Sequence, residues 1–143
     1  MYIAIIAANN KKELMAQFCI AYSGILSNHS LCSTQVTGKY VSDASGLRIE
    51  QLLGGHDGGA EQIASRIAFE EIDLVFFFRD TEREAPSDAE LAILRLCDVH
   101  NVPIATNLAS AEALILALDR GDFDFRKFIN PNSEYNRRKR EQR

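Results

Sequence analysis

The chain has 143 residues, a length that suits one compact domain whose core needs no disulfide or metal staple. Its hydrophobic share of 46% is ordinary for a globular protein, and no apolar run approaches the roughly 20 residues that cross a bilayer, which excludes a helical membrane protein. The net charge of −4 is unevenly spread: the body is acidic, the end is basic with Arg137, Arg138, Lys139, Arg140 and Arg143, and the acidic remainder argues against a nucleic-acid footprint.

Taken in chain order, apolar runs alternate with amphipathic segments. Tyr2 to Ala7 reads as a strand buried on both faces, and it has neither the basic start nor the cleavage site of a signal peptide. Lys11 to Leu26 has helical spacing through Leu14, Met15, Phe18, Tyr22, Ile25 and Leu26. Ser30 to Thr34 is a short strand, Gly38 to Ser45 a short helix, and Leu47 to Leu52 a third strand. The run from Gly54 to Gly59 is a glycine-rich loop, and Ala60 to Phe69 is helical with Ile63, Ala64 and Ile67 inward. Ile72 to Phe78 lacks alternation, as expected of a strand covered by helices on both sides. Ser87 to His100 is a helix opened by a capping box of Ser87 and Glu90. Asn101 to Ala105 is a fifth strand, and Leu108 to Leu118 a helix that stops near Gly121. This rhythm predicts an α/β fold, a parallel sheet with helices on both sides and right-handed connections. Residues 1–130 form the expected domain and residues 131–143 a basic tail. The tail has three readings: a solvated helix end, a nucleic-acid contact, or a clamp for a phosphate ligand.

Ligands in such sheets bind beyond the carboxyl ends of the strands. Ala8 to Lys12, Thr34 to Gly38, and Gly54 to Ala60 all sit there, and each opens a helix whose unpaired N–H groups suit an anion. Lys11 and Lys12 lie in a first turn, where a cation is unfavourable unless an anion accompanies it; pointing to water is the plainer reading. Thr34 and Thr37 can donate hydroxyls to such an anion, although Thr37 would serve equally as an N-cap. Gly54 and Gly55 allow close backbone approach. Arg79 and Asp80 end the strongest strand. Cys19, Cys32 and Cys97 have no metal-type spacing and read as reduced, buried thiols of a cytoplasmic protein.

These pieces, in this order, resemble the methylglyoxal synthase family from Ile3 to about Arg126. The resemblance rests on the opening strand with Lys12, Thr34 to Gly38, Gly54 to Gln62, Ile72 to Asp80, Leu94 to Cys97, and Val102 to Ala111. It implies a three-layer α/β/α sandwich with a parallel five-stranded sheet, assembled as a homohexamer. The implied chemistry is conversion of dihydroxyacetone phosphate to methylglyoxal and phosphate by a carboxylate base, with no metal or organic cofactor. The same fold serves as an effector-binding module in carbamoyl phosphate synthetases, so fold alone does not settle function.

The pattern breaks where the chemistry lies. The family's His-Asp before the lysine is Ala8-Asn9 here, a phosphate-loop threonine is Val36, and the leading serine of the third loop is Gly54. The catalytic aspartate position holds Ala60, and the histidine of the family's Pro-His holds Ser87. A positioned acid or base is worth about 10²–10⁴-fold in rate, so the expectation is an impaired enzyme that still binds a small phosphorylated metabolite or inorganic phosphate. Lys12, Thr34, Thr37, Gly54 and Gly55 are the expected binding residues. The alternative is an active synthase in which Asp80, with Glu61 or Asp57, supplies the base. Against Glu61, the helical period points it about 100° away from Ala60.

Overall fold

The computed structural model describes residues 1–52, 59–83, 85–131 and 134–142. Five parallel strands form one sheet in the order β3-β2-β1-β4-β5: β1 (Tyr2–Ala7), β2 (Ser30–Thr34), β3 (Glu50–Leu52), β4 (Leu74–Phe78) and β5 (Ile104–Ala105). Every residue of β4 is buried, which explains its unbroken apolar run. The alternation of β1 divides the core. Ile3, Ile5 and Ala7 face a layer made by α1 (Lys12–Ala21), α2 (Ser23–Leu26), α3 (Gln35–Ser45) and α6 (Leu108–Arg120). Ala4 and Ile6 face the opposite layer, made by α4 (Ala60–Ala68) and α5 (Asp88–Val99). The architecture is therefore the expected α/β sandwich. Among the described residues no helix is long and apolar enough to cross a membrane.

Element boundaries shift for local reasons. The helix expected over 11–26 is divided: Asn9–Lys11 is a 3₁₀ turn, α1 follows, and the chain leaves helical geometry at Tyr22 (φ −113°, ψ 23°) before α2. Ser23-Gly24 is a pair at which helices bend, and Tyr22 donates its hydroxyl to Glu112 on α6. The next helix starts at Gln35, not Gly38, because Thr34 is already extended (ψ 155°) and acts as its N-cap residue. Leu47 and Ile49 are buried in the core although only Glu50–Leu52 pairs with β2. The expected loop from Gly54 to Gly59 lies outside the described residues except for Gly59.

Gly59 fixes where α4 begins. Its φ is 105°, and a Cβ there would stand 2.6 Å from the Leu52 carbonyl oxygen and 3.3 Å from Thr34 Cα. No other residue type fits without moving backbone. That close approach brings the first turn of α4 against the ends of β2 and β3.

The C-terminal segment is tied to the other end of the sheet. Buried Arg126, which opens α7 (Arg126–Ile129), lies 3.8 Å from Asp73 Oδ1 and donates to the Asn101 carbonyl. Asn130 donates to the Glu70 carbonyl at 2.6 Å, and Asp73 Oδ2 accepts from the Tyr2 N–H at 2.9 Å. The basic residues form α8 (Glu134–Glu141), held to α7 by Asn136, which donates to the Lys127 carbonyl at 2.9 Å.

Candidate anion site at the switch point of the sheet

Strand order reverses between β1 and β4, since β2 and β3 lie to one side of β1 and β4 and β5 to the other. Crevices at such reversals are where α/β sheets bind ligands. A cavity of about 250 Å³ occupies this one. Its described lining comes from the end of β1 (Ala7, Ala8, Asn9), the first turns of α1 and α3 (Lys12, Val36, Thr37) with Thr34, the start of α4 (Ala60), and the start of α5 (Ser87, Ala89, Glu90), over a floor that includes Ile6 and Phe77.

Helix starts at the carboxyl ends of the strands differ in one respect. The N-cap residues of α1, α3 and α4 (Lys11, Thr34 and Gly59) make no side-chain capping bond. Those of α5 and α6 do: Ser87 accepts from the Glu90 N–H at 3.2 Å, and Asn107 accepts from the Ser110 N–H at 2.9 Å. Uncapped first turns leave N–H donors and a partial positive charge at the carboxyl ends of β1, β2 and β3, the conditions an anion needs.

Lys12, Thr34 and Thr37 all line this cavity, beside Ala60 and Ser87. Lys12 Nζ donates to Asn9 Oδ1 at 2.6 Å. Thr37 is almost wholly buried and is no N-cap; its hydroxyl donates to the Ala7 carbonyl at 3.2 Å, tying α3 to the end of β1. Its proton reaches an anion only if that bond is given up. Asp80 is not among the lining residues. Its Oδ1 accepts from Asn10 Nδ2 at 3.1 Å and from the Glu82 N–H at 2.9 Å, so it closes the turn after β4. Glu61 is exposed and also absent from the lining. Gly54, Gly55 and Asp57 lie outside the described residues.

One lining carboxylate was not foreseen. Half of the capping box expected of Ser87 and Glu90 forms, but the Glu90 carboxylate lies 3.5 Å from Arg79 Nε rather than on the cap. The signal was present: Ser87 and Glu90 are three residues apart at a helix start, hence on one face, beside the end of β4.

Buried groups elsewhere are quiet. Burial pushes the thiols of Cys19, Cys32 and Cys97 up to about 12, which keeps them protonated and inert. Among the described residues no His, Cys, Asp and Glu cluster could hold a metal ion. No residue of the basic α8 is among the described lining of the cavity.

The chain was compared with known proteins. The model of the MGS-like domain family matches residues 15–106. Methylglyoxal synthase of Caldicellulosiruptor saccharolyticus is 51% identical over 138 residues, 96% of this chain and 98% of that protein. The Bacillus subtilis protein of the same name is 45% identical over 130 residues, 90% of this chain and 95% of that protein. The crystal structure of methylglyoxal synthase from Elizabethkingia anophelis superposes with a TM-score of 0.73 at 34% identity, covering 80% of this chain and 76% of that one. In sequence and in fold, this chain belongs to the methylglyoxal synthase family.

Proposed function

We propose that this chain binds a small phosphorylated metabolite or inorganic phosphate at the switch-point cavity and is impaired in the lyase reaction for which its relatives are named. The observation that carries this reading is the lining: Ala60 and Ser87 stand in the cavity where the family pattern has an aspartate and a histidine. Ala60 can neither take nor give a proton. Ser87 holds the first turn of α5, a structural task. A missing general base alone removes about 3–5 kcal/mol of barrier lowering.

The binding half of the site is in better order. Lys12 supplies charge, Thr34 a hydroxyl that caps nothing, and three helix starts their N–H groups. Gly54 and Gly55 belong to the same reading by sequence. Assembly as a homohexamer in the cytoplasm, without a cofactor, completes the proposal.

Incubation with dihydroxyacetone phosphate, with phosphate release measured, tests the catalytic part. Turnover near the ordinary enzyme range of about 10 s⁻¹ would end the reading. Calorimetric titration with inorganic phosphate tests the other part, and Lys12→Gln should weaken binding at least about tenfold, the value of one hydrogen bond to a charged group.

A second reading, an active methylglyoxal synthase, is favoured by Glu90, a carboxylate in the cavity wall. Under it, Glu90→Gln abolishes turnover. If Asp80→Asn does so instead, the turn after β4 moves during the reaction and Asp80 is the base.

A further inference from the structure

The α5 side of the cavity carries hydrogen-bonding capacity that the fold itself leaves unused. Ser87 and Glu90, the N-cap and the third residue of α5, both line it. The Ser87 oxygen accepts from the Glu90 N–H at 3.2 Å, but its own O–H donates to no group among the described residues. The Glu90 side chain is 12% exposed, and its carboxylate lies 3.5 Å from Arg79 Nε. That approach is no hydrogen bond, since the buried Arg79 Nε is without a partner. The guanidinium therefore supplies charge behind the carboxylate without filling its acceptor sites, and buried polar groups are as a rule filled. An idle donor and an idle acceptor, three residues apart at one helix start, match a group that does both. A hydroxyl accepts from Ser87 and donates to Glu90. A carbonyl takes up only the Ser87 proton, an ammonium satisfies only Glu90, and a second anionic group is repelled by it.

We propose, resting on the anion-binding reading above, that Ser87 and Glu90 are the specificity-determining pair of this site: they read a hydroxyl on the carbon body of a phosphate monoester whose phosphate sits on the α1 and α3 side. Charge fixes the orientation. A phosphate set against Glu90 meets a like charge, whereas beside Lys12 and the uncapped helix starts it meets the opposite one. The volume agrees. At about 250 Å³ the cavity is below the roughly 300–1,000 Å³ of sites for drug-sized ligands, which leaves room for a phosphate and a few carbons.

Three probes test this by calorimetry on the full chain: inorganic phosphate, n-propyl phosphate and glycerol 3-phosphate. The last two share a carbon skeleton and differ in two hydroxyls. Glycerol 3-phosphate should bind about tenfold or more tighter than n-propyl phosphate, the value of one hydrogen bond to a charged group. Glu90→Ala should bring the two esters within about threefold of each other. It keeps the backbone N–H that Ser87 caps, and it favours the helix. Glu90→Gln, close to Glu90 in shape, should lower the preference at least about threefold, as expected when a neutral acceptor replaces a charged one, and it decides the matter if Glu90→Ala does not fold. With inorganic phosphate bound, n-propyl phosphate as tight as glycerol 3-phosphate overturns this inference and leaves the anion site standing. A hydroxyl preference that survives both substitutions overturns it too, because other residues then read the hydroxyl. Failure of all three probes to bind removes the anion site and this inference together.

Discussion

Ala60→Asp puts a carboxylate back where the family pattern has one, and the structure sets three separate magnitudes for it. Ala60 is the first residue of α4 after an uncapped Gly59, and it is only half buried. The new side chain stays hydrated and meets the positive end of the helix, which favours it by about 0.3–1 kcal/mol. Melting should therefore rise by up to about 3 °C in a domain of this size. Inorganic phosphate should bind more weakly. Two unit charges about 7–8 Å apart at an effective dielectric near 20 repel by about 2 kcal/mol, or about thirtyfold in affinity. At saturating dihydroxyacetone phosphate, a restored base should raise phosphate release by about 10²-fold, the lower end of its usual worth, because Ser87 still supplies no acid. The assay is coupled phosphate detection beside a thermal melt and a phosphate titration. A variant that melts as expected and binds phosphate more weakly, yet releases no more phosphate than the parent, refutes the claim that the missing proton acceptor silences the site.

Other perturbations separate structural from functional roles. Ser87→Ala should cost about 1 kcal/mol, a fall of about 3 °C in Tm, and Asn107→Ala should cost the same, since each removes one capping bond. Arg126→Met should cost about 3 kcal/mol, read as a denaturant midpoint, because it leaves buried Asp73 without its guanidinium while Tyr2 and Asn130 still hold it. Burial first, then the Met1 ammonium and Lys127, holds the His29 imidazole below its ordinary pKa. The fold thus prefers the neutral ring. Its contribution is complete above the unfolded value of about 6.5 and is lost as pH falls through and below that value, so His29→Gln should flatten the stability profile between pH 7 and 5.5. Hydrogen bonds from Arg66 and then Tyr2 hold the Glu50 carboxyl low, so its contribution is present above its ordinary range and disappears at more acid pH. As an exposed pair, it should weaken in salt.

Most of the fold was legible because its signals are local. The unbroken run of β4, the Ser87 cap and the Gly121 stop all reappear where the sequence places them. What was not legible depended on contacts between elements. Gln35 to Thr37 precede the helix expected from Gly38, yet they are already helical, with extended Thr34 as the N-cap residue. Tyr22 ends α1 through a bond to α6, 90 residues away. In the site, Lys12 and Thr34 were legible from their places at strand ends, and Thr37 only in part, since its bond to the Ala7 carbonyl is set by the packing of α3 on β1. Glu90 was hidden because one residue satisfied two patterns, a helix cap by its N–H and a cavity wall by its carboxylate.

The two halves of the cavity differ in what they offer an anion. On the α5 side Ser87 accepts from the Glu90 N–H, and the Glu90 carboxylate lies 3.5 Å from Arg79 Nε. On the α1 and α3 side the helix starts lack caps, and the Lys12 ammonium rests on the neutral amide of Asn9. An anion therefore improves the second half and does little for the first. Inorganic phosphate at about 100 times its dissociation constant should stabilise the chain by about 2.7 kcal/mol, a rise of about 8 °C in Tm. Lys12→Gln, at tenfold weaker binding, should remove about half of that rise at the same phosphate concentration. Ser87→Ala should lower the starting Tm yet leave the rise intact. Equal losses in the two variants would mean that both halves hold the anion, and the division of the site into an anion-binding side and an α5 wall would fall.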